Sequence, residues 1–337
     1  MNAPVGPDRI LELSRAFRAA KVLLSAVELS VFTALSDGSL DLETLRRKTS
    51  VAERGARDFF DALVALGLLE RDDSGRYNNT TETALYLDAS KRTYIGQEMI
   101  YFGERIYPHW NLLTPALKTG KPQSDEADNY FQSLYADQTA LRKFVSGMTG
   151  GSRLAAQSIA ETFNWRKVRT FADIGTAEGC LPVEIAQVHS HLEGVGFDLP
   201  QVRPVFDQYV HQQGLHHRLK FCPGNFLSDP LPRADVLVMG RILHNWDLPT
   251  KKMLLRKAHE AVTTGGALLV YERLIDDDRR SNVAGLLASL HMLIMTEGGF
   301  DFTASDCIGW MREAGFHDIN VHRLKGDQSM IVGLKQA

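Results

Sequence analysis

The residue types most suited to chemistry first cluster in the run Asp173-Ile174-Gly175-Thr176-Ala177-Glu178-Gly179. Glycine at 175 and again at 179 permits a sharp turn from strand to helix and lets a ligand approach the backbone closely. A dinucleotide pyrophosphate loop wants G-x-G-x-x-G, whereas this turn reads G-x-x-x-G, which argues against NAD and leaves room for a different nucleoside. Asp198 closes the next apolar run. Its carboxylate can accept hydrogen bonds from both hydroxyls of a ribose, and the following Leu199-Pro200 lets it cap a helix at the same time. Farther on, Leu243-His244-Asn245-Trp246-Asp247 offers a lone histidine at a strand end, a group that can accept a proton or simply pack in a core.

The elements that must position these groups follow from the pattern of apolar residues. From Arg169 onward the chain alternates between strand and helix. TFADIG is followed by a helix from about Leu181 to Val188, GVGFD by one near Val202 to Gln213, and LKFCPG and ADVLVMG by one from Pro249 to Val262, before ALLVYE. Such alternation predicts βαβ units and a parallel, doubly wound sheet. A helix over Ala304 to Ala314 and strands near Ile319 to Leu324 and Met330 to Leu334 complete it. Upstream, apolar residues recur at helical spacing from Ile10 to Leu35, then over Leu40 to Ser50 and Ala52 to Glu70, before a hairpin turn within RDDSGRYNNT. Helices followed by a hairpin make a winged-helix pattern. Its third helix sets Glu53, Asp58 and Asp61 against Arg54 and Arg57, so it lacks the basic face that phosphates require. Between about Tyr94 and Ala155 the helical segments turn aromatic, with Tyr101, Phe102, Tyr107, Trp110, Tyr130, Phe131, Tyr135 and Phe144.

On these motifs the chain resembles, over nearly its whole length, the winged-helix-plus-Rossmann small-molecule O-methyltransferases of bacteria and plants, the family that includes caffeate and acetylserotonin methyltransferases. The resemblance implies an α/β fold: an all-α/winged-helix dimerisation domain over residues 1–100, connecting helices over 101–155 that contribute to the substrate pocket, and a Rossmann-like class I methyltransferase domain over 156–337. It implies S-adenosyl-L-methionine as cofactor, with Asp173, Gly175 and Gly179 cradling the methionine part and Asp198, beside Leu199, holding the ribose. Gly224-Asn225-Phe226 stands where the family usually has Gly-Asp-aromatic or Gly-Asp-Met at the adenine; an amide still offers an acceptor there. The LHNWD segment resembles the L-H-D-W-x-D signature, with Asn245 for the first Asp and Leu248 for the second. The family's general base falls on His244 and its flanking acids on Glu272 and Asp301. A lysine of the plant members is Gly240 here, leaving Arg241 as the candidate for that cofactor contact. Tyr101, Trp110, Phe144, Met148, Met292 and Met295 are the candidates for packing on the substrate, with no metal implied.

The chemistry agrees with such a role for His244. A phenolic hydroxyl has a pKa near 10, and a neutral imidazole about 3 Å away can take its proton as a methyl group moves. Orienting the ring requires an acceptor for its other N–H. The expected activity is therefore methylation of a hydroxyl on a small, aromatic secondary metabolite. The alternatives are a methyltransferase-like enzyme that catalyses a non-methylating reaction and a winged-helix regulator that senses a ligand.

The totals exclude other classes. The 337 residues are comfortable for two domains, and 44% hydrophobic with 23% charged residues is ordinary for soluble globular proteins. A net charge of -3 gives no electrostatic footprint for nucleic acid or an anionic membrane. Cys180, Cys222 and Cys307 form no CxxC pair and the first residues carry no signal pattern, so cytoplasmic residence with reduced thiols is expected. The apolar stretch from Phe17 to Ala34 is too greasy for a monomer surface and predicts a homodimer.

Overall fold

The computed structural model describes residues 6–123, 135 and 137–336, so Tyr130 and Phe131 lie outside the described residues. The chain divides into two compact units, Met1–Pro108 and His109–Ala337, and the helical stretch drawn at 101–155 is shared between them.

The first unit runs α1 (Asp8–Glu28), α2 (Val31–Ala34), α3 (Leu42–Lys48), α4 (Glu53–Ala65), β1 (Leu69–Arg71), β2 (Tyr77–Asn79), α5 (Thr81–Tyr86) and α6 (Gly96–Tyr101). Two sequence expectations change. The single helix over residues 10–35 breaks because Ser30 takes a left-handed φ of 55° between α1 and α2. The third helix stops at Ala65 rather than Glu70, closed by the Leu68 N–H donating to the Leu63 carbonyl at 2.9 Å, which releases Leu69–Arg71 into a hairpin. In the hairpin turn Asp72 Oδ1 accepts from the backbone N–H of Ser74 at 3.0 Å and of Arg76 at 2.9 Å. Asp61, one of the acids that spoiled a DNA-binding face, is tied into the wing, accepting from Tyr77 Oη at 2.7 Å and Arg71 Nη1 at 2.6 Å. Phe32, Leu45, Phe60 and Leu63 form the core beneath.

The second unit contains α7 (Leu113–Thr119), α8 (Gln138–Thr162), β3 (Thr170–Ile174), α9 (Cys180–Val188), β4 (Glu193–Asp198), α10 (Arg203–Gln212), β5 (Leu219–Pro223), β6 (Ala234–Gly240), α11 (Leu248–Ala261), β7 (Val262–Glu272), α12 (Val283–Met295), α13 (Ala304–Glu313), β8 (His317–Arg323) and β9 (Ser329–Leu334). Strand order in the sheet is β5-β4-β3-β6-β7-β9-β8. Strands β3 to β7 run parallel, and β9 is antiparallel to both its neighbours. Successive strand residues serve opposite layers. Phe171, Val236, Val238 and Leu269 enter one core with Trp165 and Phe206, while Ala172, Ile174, Leu237, Met239, Leu268 and Val270 enter the other with Leu255 and Phe302. A sheet covered on both faces requires this nearly continuous run of apolar residues.

Chain order runs from β3 outward through β4 to β5, then returns to the other side of β3 with β6. The strand ends at that reversal open into the crevice where ligands of such sheets bind. The core below it makes a direct test of the layer assignment. Phe171→Ala removes a fully buried ring whose centroid is 5.7 Å from that of Trp165, and it is expected to cost about 3–5 kcal/mol. Chemical denaturation followed by Trp165 fluorescence would show it, and an unmoved midpoint would contradict the layer assignment.

Candidate active site

Four loops meet at the carboxyl ends of β3, β4, β5 and β6. After β3, Gly175 and Gly179 take φ of 74° and 93°, and Ala177 between them also turns left-handed, at 52°. A Cβ on Gly179 would lie 2.9 Å from the Phe206 ring, and one on Gly175 would collide with Ile242. Both positions therefore demand glycine for backbone, and a side chain at either would also have to displace a neighbour. Asp198 ties this turn to the next strand: Oδ2 accepts the Ala177 N–H at 2.9 Å and Oδ1 accepts the Leu199 N–H at 2.8 Å. The cap foreseen for Asp198 thus exists, and each oxygen keeps a lone pair for a further donor. Burial pushes the Asp198 carboxyl up to about 6 and that of Asp173 up to about 7.

The loop after β5 arrives through the Gly224 N–H, which donates to the Asp198 carbonyl at 2.9 Å. The Asn225 amide oxygen accepts the Leu227 N–H at 2.9 Å, so the amide is partly spent on its own turn. Phe226 lies beside the Gly175 turn and meets Trp246 edge-on, ring centroids 5.9 Å apart.

After β6 the backbone is unusual. Arg241 has φ of 55°, and its N–H donates to the Tyr271 carbonyl at 3.0 Å. The space where a Gly240 side chain would stand is filled by the buried Tyr271 ring, so a lysine at 240 would have to displace it. Asn245 Nδ2 donates to the Arg241 carbonyl at 3.0 Å, a bond that an ionised aspartate at 245 could not make. Asp247 caps α11 through the Thr250 N–H at 3.0 Å.

These contacts hold His244 inside. Its Nδ1 lies 3.4 Å from Asp301 Oδ1 and 3.7 Å from Glu272 Oε2, and its backbone N–H donates to Glu272 Oε1 at 3.4 Å. Glu272, at the end of β7, is 1% exposed, and Asp301 is 2% exposed. The Asp301 backbone N–H donates to Ser289 Oγ at 3.2 Å, fixing its loop to α12. Burial drives the imidazole pKa down, but the Glu272 charge and then the hydrogen bond and charge of Asp301 outweigh it and hold His244 above its ordinary 6.5. Burial raises Glu272 above the usual carboxylate range, against the pull of His244. Donor atoms of the three side chains lie within 4.8 Å of one another, a spacing that would also admit a metal ion.

Residues 110–317 match the model of the O-methyltransferase domain, and residues 11–89 match that of the O-methyltransferase dimerisation domain. The chain belongs to the O-methyltransferase family. Tetracenomycin polyketide synthesis 8-O-methyl transferase TcmO of Streptomyces glaucescens is 39% identical over 98% of this chain and 97% of that protein. N,N-dimethyltransferase OxyT of Streptomyces rimosus is 33% identical over 96% of this chain and 94% of its own length. Among solved structures, human N-acetylserotonin methyltransferase in complex with SAM aligns over 100% of both chains with a TM-score of 0.90 at 25% identity. The chain is accordingly an S-adenosylmethionine-dependent O-methyltransferase with a class I catalytic domain.

The expected substrate-side residues of this O-methyltransferase lie on several elements, each described within its own unit. Met295 packs with Ile294, Ala116 and Trp110 in a small cluster between α7 and α12. Met292 is buried one turn earlier on α12. On α8 Phe144 and Met148 are half-buried, and Phe144 packs against the core on the α8 side of the sheet. Tyr101 is buried in the first unit, on α6. Two groups escaped the sequence reading. His291, within the apolar run of α12, has an enclosed Nδ1 with no hydrogen-bond partner, and burial, followed by the charges of His244, His109, Arg241 and Arg273, pushes its pKa down to about 4. Lys251, on the polar-looking start of α11, is wholly buried. No local periodicity marks either one.

Proposed function

We propose that this enzyme methylates a phenolic hydroxyl of an aromatic secondary metabolite, with His244 as the general base. The observation that carries this reading is the approach of two buried carboxylates to one nitrogen of one buried imidazole. With Nδ1 held by Asp301 and Glu272, Nε2 is the nitrogen left for an acceptor hydroxyl. The acids fix the tautomer and stabilise the imidazolium that forms. The name of TcmO, an 8-O-methyl transferase of tetracenomycin polyketide synthesis, supports a polyketide-like acceptor.

The residues at the strand ends suit S-adenosylmethionine. Asp173 to Gly179 contains no lysine or arginine of the kind a pyrophosphate attracts. Instead it presents bare left-handed backbone beside the buried carboxylates of Asp173 and Asp198 and the ring of Phe226. Asp198 would hold ribose hydroxyls through its remaining lone pairs, Asp173, Gly175 and Gly179 would bound the methionine part, and Gly224, Asn225 and Phe226 the adenine. The cofactor supplies an electrophilic methyl on a sulfonium that leaves as a neutral thioether. The protein then has to align the acceptor oxygen and take its proton on His244.

The dimerisation domain has a surface for a second copy. On α1, Ile10, Leu13 and Phe17 are 73%, 76% and 55% exposed and share one helical face, whereas Ala26 and Val27 are buried within the unit. The apolar stripe available for a partner thus lies nearer the start of α1 than the sequence suggested. Light scattering at micromolar concentration is expected to give twice the 37.6 kDa chain mass; a monomer would remove the homodimer.

Asp198→Ala is expected to weaken S-adenosylmethionine binding by roughly one to a few kcal/mol, as lost charge-assisted hydrogen bonds do. Calorimetry reads this directly, and unchanged affinity would leave Asp198 as a cap alone.

For His244→Gln, single-turnover methyl transfer to a panel of hydroxylated naphthoates and anthraquinones is expected to fall by roughly 10²–10⁴ with cofactor affinity retained. The wild-type rate is expected to rise with pH and level off above a midpoint higher than 6.5, because the flanking charges raise the imidazole pKa and only the neutral ring accepts a proton. Treatment with EDTA is expected to leave the rate unchanged. A variant retaining more than about a third of the rate on an ordinary phenol would overturn the general-base role.

A further inference from the structure

Lys251 belongs to no motif, yet it is wholly buried, while its neighbour Lys252 pairs at the surface with Glu313 at 2.7 Å. Its ammonium donates to the Trp246 carbonyl, two residues beyond His244, and stands 3.3 Å from the ring centroid of Phe300, the residue before Asp301. The Phe302 ring centroid is 5.7 Å from it. One side chain therefore touches both the loop that carries the imidazole and the loop that carries its second acid.

An ammonium in such a place is costly unless anions answer it. Asp301 Oδ2 is buried with no hydrogen-bond partner, and His244 meets the two acids only at long range, its Nδ1 at 3.4 and 3.7 Å and its N–H at 3.4 Å from Glu272 Oε1, so the two carboxylates are short of the close donors that normally stabilise buried anions. The Lys251 ammonium is held up by the charges of Glu272 and Asp301, and the Arg241 charge acts on Glu272. Around the imidazole itself, Glu272 and Asp301 are balanced by Lys251 and Arg241 when His244 is the free base, with Asp247 farther along at the start of α11.

We propose that Lys251 is a positioning residue of the catalytic cluster, its buried ammonium fastening the His244 loop to the Asp301 loop and setting a positive charge beside them that favours an unprotonated His244. This rests on the general-base reading of His244 for its consequence in catalysis, though not for the electrostatics. Burial pulls the ammonium down to about 8 while Glu272, Asp301, Asp247 and Cys307 pull it back up, so it stays mostly charged at neutral pH. These groups face it from the end of β7, the Asp301 loop, the start of α11 and α13. Without Lys251 the cluster carries a net negative charge around a neutral imidazole, and protonating His244 restores neutrality. Loss of the lysine charge must therefore raise the His244 pKa and deplete the base at neutral pH.

Histidine ring resonances of the full-length ¹⁵N-labelled protein test this without any acceptor, the His244 signal being assigned by its loss in His244→Gln. In Lys251→Met the His244 midpoint is expected to rise by about one pH unit, the scale set by a close charge. Lys251→Arg should restore it, and Lys252→Met should leave it unmoved. An unmoved midpoint in Lys251→Met, or equal shifts in the Met and Arg variants, overturns the proposal. If Lys251→Met does not fold, ¹³C-lysine titration of the wild type and Asp301→Asn serves instead. The Lys251 midpoint near 8 is expected to fall when the aspartate charge is lost, and a midpoint indifferent to it overturns the proposal. These titrations stand even if His244→Gln proves fully active, so the two readings fail separately.

Discussion

The second unit is organised around the burial of His244 against Glu272 and Asp301. Ionisable groups are placed out of water only where others answer them, and this need reaches far along the chain. Glu272 must end β7 beside the segment after β6, which fixes the register of two central strands. Asp301 must return from α12, which the Ser289 hydroxyl secures through the Asp301 N–H. The parallel sheet supplies what loops alone could not: strand ends held side by side by cores on both faces.

The departures from the family signature become intelligible as local solutions. Asn245 supplies an N–H that an aspartate lacks, and with it closes the turn at Arg241. Gly240 leaves room for Tyr271, whose carbonyl in turn holds the Arg241 N–H. Asn225 closes its own turn through Leu227 while remaining beside Asp198 by way of Gly224. In each case the backbone is held by a bond that the altered residue makes or permits, so the loops can converge although the side chains differ.

Much of this was legible in the sequence because the signals were local. Apolar runs alternating with helical patterns give the parallel sheet, glycines at 175 and 179 give the turn, and LHNWD with acids downstream gives the buried histidine and the two carboxylates beside it. What stayed hidden depends on contacts between distant segments. A left-handed Ser30 leaves no mark in periodicity, and neither does the hairpin's claim on Leu69–Arg71. Aromatic and methionine residues near the site read alike whether they face a ligand or a core, and the sequence does not foresee that Met295 and Trp110 pack together. Lys251 and His291 were invisible for the same reason: a charge in a helical pattern is ordinarily solvated, and only the folded chain shows which neighbours it meets.

The electrostatics also bear on the kind of acceptor this site can serve. A base is most effective when its pKa approaches the working pH from the side that leaves it largely unprotonated while still drawing a proton from a weak acid. Burial alone would lower the proton affinity of His244 and two carboxylates alone would raise it further than they do here, where the opposing effects leave it above its ordinary value. Placing both influences on one ring lets the fold set its proton affinity through residues on β7 and on the Asp301 loop. His291 extends this logic, since a ring kept neutral by burial and nearby positive charge offers a hydrogen-bonding nitrogen without adding charge to the cluster.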